Sequence, residues 1–274
     1  MRFRVRREWN CRFDPAAKNL IGVLRATPRD HDGQVVGDWN VELSADCGVR
    51  IWEDGFGNFA HSFEAQGDIG RLVVVATGEV QLDETAGFVR GAPERFPAEL
   101  YLREAQLTMA DAALRGFAEK SVAGADDALA RMHALMSALH EAIAFDPSEA
   151  PRLGAPQAFA AGKGCGRDMA HVFVAAARHL GVPARYVDGL AADAPGADHA
   201  WAEAHVEGYG WIGFDPALNL CPAGRHLRFA VGLDALGAEP LRVLRQNMAR
   251  FGGDAVEPIS VLREQQSDPR AGGQ

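Results

Sequence analysis

The apolar residues of this chain change their spacing once, from every second residue to a period near 3.6, and the change falls close to residue 97. A pattern of that kind predicts half-buried strands before the switch and amphipathic helices after it. Ahead of it, short β-prone runs at 20–24, 41–43, 49–52, 59–63, 72–76 and 79–82 are punctuated by Asp32-Gly33, Gly57-Asn58 and Gly67-Asp68, dipeptides that close turns. Residues 1–92 are therefore expected to form an antiparallel β domain, a sandwich or an open barrel. With 274 residues the chain is long enough for two modest hydrophobic cores.

Residues 91–97 carry two prolines and read as a linker. In the stretch that follows, Leu129, Met132, Leu135, Met136, Leu139 and Ile143 fall on one helical stripe, with Asp126 or Asp127 placed to cap its first turn. A second helix is expected where Met169, Val172, Phe173, Ala176 and Leu180 share a face, ended by Gly181. Residues 184–187, 199–206 and 211–215 read as strands, the last two as a hairpin pair. The fold class is α+β: an N-terminal β domain over 1–92, helices packed on an antiparallel sheet over 93–252, and a Gly-, Gln- and Asp-rich tail over 253–274.

Charge and cysteine usage narrow the function classes. A formal charge of −9 does not suggest the cationic face that general phosphate binding needs; a local basic patch stays open, but nucleic acid is not an expected partner. No apolar stretch approaches membrane-spanning length, and the charged start is not followed by the apolar core of a secretion signal. Cys11, Cys47, Cys165 and Cys221 lie far apart with no CxxC pair, which fits free thiols in a reducing, cytoplasmic setting better than a zinc ribbon or a disulfide framework. His205, His226 and Cys221 show no metal-ligand spacing, and no cofactor or metal is implied.

Three residues could do chemistry together. Cys165 follows a glycine-rich run and precedes a helix, whose unpaired N–H groups and dipole favour a thiolate. A hairpin centred on Glu207 sets His199 opposite Asp215, so the carboxylate can fix the imidazole tautomer and leave its other nitrogen for a thiol. The residues alone leave two plainer readings open: a buried inert thiol, and a structural His–Asp hydrogen bond. His171 and His179 read as packing or surface residues, and Trp201 and Trp211 as walls of a cleft.

The segment GCGRDMAHVFVAAARHLGVPARYVDG, followed by DHAWAEAHVEGYGWIGFDPALN, resembles the core of bacterial transglutaminase-like proteins, whose motifs are GVCxDxAH, HAWxE and GWxxFDP. The likeness extends to TPRDHDGQVVGDW, WEDGFGN and FPAELYLREAQLT before it and HLRFAVGLD after it. It implies a papain-like core preceded by the family's β domain, and a thiol acyl-transfer site acting on peptide or isopeptide amides, hydrolysis rather than crosslinking. By that likeness Cys165 would attack, His199 would act as base and then acid, and Asp215 would orient His199. One residue departs from the pattern. Aligned without a gap on Asp168 to His171, the family's cysteine falls on Gly166, and Cys165 takes the place of the family's valine. The alternative is therefore a non-catalytic member that binds a peptide-like ligand or a partner protein.

Overall fold

The computed structural model describes residues 1–147, 153–192, 194 and 198–246. The tail expected at 253–274 lies outside the described residues. Two strands dominate the N-terminal part: β1 (Arg2–Leu24) and β4 (Phe59–Leu82) run antiparallel along their whole length. β2 (Gln34–Leu43) pairs with the C-terminal half of β4, and β3 (Cys47–Glu53) with its N-terminal half. One hydrophobic cluster takes Trp9 and Cys11 from the first half of β1, Leu20 and Leu24 from the second, and Phe63, Leu72 and Val74 from both halves of β4, so the sheet folds onto itself.

The long strands differ from the short runs expected. Gly67-Asp68 is not a turn but an irregularity inside β4: Gly67 takes φ +123, and the β1–β4 register slips between Arg12 and Ala17 and again before Asn19. Bulges of this kind break the alternation of side chains without ending the ladder. The other two dipeptides do close turns. His31 and Gln34 exchange backbone hydrogen bonds around Asp32-Gly33, and Asp54 Oδ1 accepts from the N–H groups of Phe56 and Asn58 between β3 and β4.

Residues 91–97 are pinned rather than free. Glu94 accepts two hydrogen bonds from Arg185 at 2.9 and 3.1 Å, and Arg95 pairs with Glu53. Strands also cross the expected boundary at 92 in both directions. β5 (Phe88–Val89) joins the second sheet, and β12 (Leu241–Gln246) returns to pair with Asn19 to Leu24 of β1.

The second unit holds α1 (Ala112–Ser121), α2 (Ala128–Ala142), β6 (Ala144–Phe145), α3 (Ala155–Ala161), β7 (Lys163–Gly164) and α4 (Gly166–His179). After them come β8 (Ala184–Ala191), β9 (Asp198–Val206), β10 (Gly210–Phe214), β11 (His226–Gly232) and α5 (Ala235–Ala238). The sheet order is β11-β8-β9-β10-β5, antiparallel throughout. α2 starts where Asp127 Oδ1 accepts from Ala130 N at 2.7 Å, and buries Met132, Leu135, Met136 and Leu139. α4 is the central helix. Gly166 and residues 168 to 178 are all buried, Phe173 stacks on Phe214 with ring centroids 5.3 Å apart, and Ala170 packs with Tyr186 and Ala200. Gly181, at φ +79, ends the helix in the left-handed conformation that glycine adopts at low cost.

Polar side chains join the two units. Asn58 exchanges two 2.8 Å hydrogen bonds with the backbone of Val231, and Gln34 does the same with Arg228 at 2.9 and 2.8 Å. Arg7, from β1, reaches Asp188 at 2.9 Å and Asp198 at 2.7 Å, and those carboxylates hold its guanidinium firmly charged although burial opposes it. Asp198 immediately precedes His199, so the N-terminal unit braces the strand that carries this histidine.

Candidate functional site

His199 stands near the start of β9 and Asp215 one residue past the end of β10. The hairpin joining these strands is not centred on Glu207, as the sequence suggested. Val206 pairs with Gly210 and Ala202 with Phe214, which leaves a three-residue loop, 207–209, with Gly208 at φ +80 and Gly210 at φ +82. A three-residue hairpin loop needs a left-handed residue where the ladder resumes, and Gly210 supplies it. Asp215 therefore lies diagonal to His199 instead of opposite it. Long side chains still meet across such a diagonal: His199 Nε2 and Asp215 Oδ2 are 2.6 Å apart.

Asp215 is fully buried and every part of its carboxylate is engaged. Oδ1 accepts from Ala217 N at 3.0 Å and Leu218 N at 3.2 Å, while Oδ2 meets His226 Nε2 at 3.1 Å as well as His199. Burial pushes its pKa up, but the hydrogen bonds and charges of the two imidazoles outweigh that and leave it lowered. An ionised carboxylate only accepts, so each imidazole turns an Nε2–H toward it. Nδ1 of His199 is then the ring's free acceptor.

What faces that side of the ring is Gly166. A Cβ built on Gly166 would lie 2.7 Å from both Nδ1 and Cε1 of His199, and 3.1 Å from the carbonyl oxygen of Ala200. The imidazole has closed onto the space a side chain at residue 166 would need, and only 1% of the His199 side chain is exposed.

Cys165 is the N-cap of α4, and its side chain is turned toward Asp168 in the helix's first turn. Sγ lies 3.2 Å from Asp168 Oδ2, which also accepts from Cys165 N at 3.3 Å. The expectation that the helix start favours a thiolate is not met. Burial raises the thiol pKa, Arg167 opposes it, and the Asp168 carboxylate pushes it up again.

The other candidates settle as packing. His171 accepts from Ala235 N at 3.1 Å and lies against Tyr186; His179 pairs with Glu119; His205 packs edge-on against Trp211. Trp211 lies under the Arg185 guanidinium at 3.8 Å, and Trp201 packs with Val187 and Val231. All four cysteines are free. His226, which the sequence sets aside for want of a metal-ligand spacing, belongs to the site: it opens β11, eleven positions after Asp215, and no spacing rule links the two. One ligand atom from each of His199, Asp215 and His226 lies within 4.8 Å of the others, a donor set able to hold a small divalent cation. Hydrogen bonds already tie the same three groups to one another.

Residues 3–81 match the bacterial transglutaminase-like N-terminal region, and residues 115–216 match the transglutaminase-like superfamily core. A comparison with curated protein sequences finds no match. Among solved structures, the chain is similar to a candidate cysteine protease from Cytophaga hutchinsonii, with a TM-score of 0.73 and 19% identity over 96% of this chain and 89% of that one. It also matches the periplasmic domain of TgpA from Pseudomonas aeruginosa, with a TM-score of 0.40 and 16% identity over 77% of this chain and 75% of that one.

Proposed function

The chain belongs to the bacterial transglutaminase-like proteins, and from that premise we propose that it is a non-catalytic member, a binding protein for a peptide-like ligand or a partner protein. Acyl transfer in a site of this type needs three things in line: a thiol, an imidazole nitrogen to take its proton, and a carboxylate to fix the imidazole. His199 and Asp215 supply the second and third. The observation that carries the reading is the 2.7 Å between the ring of His199 and the position of a Cβ on Gly166. Residue 166 is where the imidazole looks for its nucleophile, and it has no side chain.

Cys165 is a poor substitute. Successive helix residues are turned by about 100° from one another, and its thiol is engaged by Asp168 with a raised pKa. Reaching His199 would mean breaking the Cys165–Asp168 arrangement that caps α4 and finding room beside a ring with almost no exposure.

The amidase reading, in which Cys165 is the nucleophile, makes the opposite forecast for one simple experiment. Hydrolysis of a general peptide substrate and of an isopeptide substrate is measured for the wild type and for Cys165→Ala. We expect no turnover above background in either protein, and alkylation of Cys165 only at pH values above those of an ordinary thiol. Turnover by the wild type that disappears in Cys165→Ala would overturn the proposal.

A further inference from the structure

β3 is the most exposed strand among the described residues, and its pattern is not that of a protected edge. It pairs with β4 on one side, from Cys47 opposite Ala65 to Glu53 opposite Phe59 without a register break, and no described strand lies along its other side. Edge strands are usually guarded by a proline, by charged side chains, by a bulge or by a cover. CGVRIWE contains no proline, its ladder is unbroken and none of its seven residues is buried; of its two charges, Glu53 is already paired with Arg29 and Arg95, which leaves Arg50 as the strand's central charge.

The two faces of β3 differ. Val49 stands opposite Phe63, and Ile51 opposite His61; Phe63 and His61 in turn stand opposite Gly22 and Leu24, and these opposite Val243 and Leu241. Phe63, Leu24, Leu241 and Val243 are buried in the N-terminal core. Val49 and Ile51 continue the same face outward and remain 42% and 67% exposed. The opposite face presents Arg50 and Trp52, the latter 45% exposed.

We propose that β3 is a homodimerisation edge, paired antiparallel across a two-fold axis with β3 of a second copy. The strand carries its own complement. Centred on Ile51, the pairing sets Ile51 against Ile51 of the partner subunit and extends the buried face of each copy there, with Val49 facing Glu53 of the partner subunit on either side of the axis. On the opposite face it sets Arg50 against Trp52 of the partner subunit, and the symmetry makes that cation–π pair twice. Centring on Arg50 would instead oppose two guanidinium groups, so charge selects the register. The shared ladder satisfies backbone groups that are otherwise left to water. The inference does not depend on what residue 166 can do, and its test reads mass rather than turnover.

The test is sedimentation analysis of the full chain over a wide concentration range, with amide hydrogen exchange of residues 47–53. The weight-average mass should rise from 29.4 kDa toward twice that value, and exchange at 47–53 should slow as concentration increases. Ile51→Lys should remain a monomer throughout, and Arg50→Glu should weaken the dimer roughly tenfold by removing two cation–π pairs. Both residues lie on an exposed strand, so melting temperatures equal to the wild type's at concentrations where the wild type is a monomer will show that the variants fold. A wild type that stays monomeric, or a dimer that survives Ile51→Lys, overturns the proposal. Protection of 47–53 that is independent of concentration also overturns it, since another segment of the same chain would then cover the edge.

Discussion

Gly166 is the residue on which the functional reading turns, and substituting it makes the packing measurable. An added Cβ would sit 2.7 Å from the His199 ring, where ordinary contact begins at 3.4 Å. The ring must therefore retreat by about 0.7 Å, and a misfit of that size in a well-packed interior costs about 1–3 kcal/mol. Retreat also strains the 2.6 Å bond to Asp215, which places Gly166→Ala toward the upper end. For a chain of this size each kcal/mol lowers the melting temperature by about 2–4 °C, so a cost of about 2–3 kcal/mol predicts a fall of roughly 4–12 °C. Gly166→Cys carries the same steric load and adds a thiol beside the free imidazole nitrogen. In a Cys165→Ala background, its alkylation rate against pH should show a pKa well under the ordinary value of about 8.5, in the range of roughly 3.5–7.5 that thiols beside an imidazolium or a helix N-terminus reach. Thermal melts and pH-resolved alkylation followed by intact mass give both numbers. If Gly166→Ala melts with the wild type, the imidazole is not closed onto residue 166. If the Gly166→Cys thiol titrates as an ordinary one, the His199–Asp215 pair cannot serve a nucleophile there, and the account of the site fails.

Two further outcomes test the frame that holds the site. Glu203 is fully buried between Arg185 and Arg228, at 2.6 and 2.8 Å, and Glu203→Gln should cost about 3–5 kcal/mol in urea unfolding by leaving two buried guanidinium groups without their shared anion. Acid should destabilise the protein in two stages. Burial, with Arg228 nearby, holds the His31 pKa down to about 4; the unfolded histidine binds its proton from about pH 6.5, so this contribution is complete above that pH and is lost as pH falls toward 4. Burial opposes ionisation of Glu203, but Arg228 and Arg185 outweigh it and bring its pKa to about 2, so its contribution is lost between about pH 4.5 and 2. Melting temperature against pH should show both stages, and His31→Gln should shrink the first, to which His61, its pKa also lowered by burial, contributes; a first stage of the same size in His31→Gln as in the wild type would refute the His31 assignment.

Much of this was legible in the sequence because it rests on local rules. The change of apolar period separated the strand-rich half from the helical one, and the stripe ending at Ile143 and the stop at Gly181 located helices that need only their own residues to be recognised. Bulges were not legible. The slip between Arg12 and Asn19 and the positive φ of Gly67 disrupt alternation, so two long strands read as several short ones. The return of Leu241–Gln246 to β1 is a pairing across more than 200 positions that no local pattern announces. At the site, motif likeness located His199 and Asp215 although the expected register was wrong, because the diagonal of an antiparallel pair is still within reach of an imidazole. His226 could not be joined to the pair from the sequence because its approach to Asp215 depends on where the chain re-enters the sheet after residue 220. The absent side chain at 166 was visible in the alignment; the closure of the imidazole onto it was not.

A histidine–aspartate pair is often taken as a sign of catalysis, and here the energetics supply another reason for it to be present. Asp215 accepts from two imidazoles and two backbone N–H groups while fully buried. Removing any one partner leaves a buried charge under-satisfied, at a cost of about 1–3 kcal/mol. Asp215 also fixes the turn after β10, through Ala217 and Leu218, and joins β9 to the first residue of β11. The trio thus stitches three strands of the second sheet whether or not a thiol stands at residue 166. Stability alone is sufficient to account for His199, Asp215 and His226, whereas nothing in their bonding accounts for a nucleophile. The groups that would have to move to create one, the ring of His199 and the Cys165–Asp168 cap, are held by separate sets of hydrogen bonds. The imidazole occupies the volume that a side chain at 166 would need, so a cysteine introduced there must displace a satisfied core group before it can react.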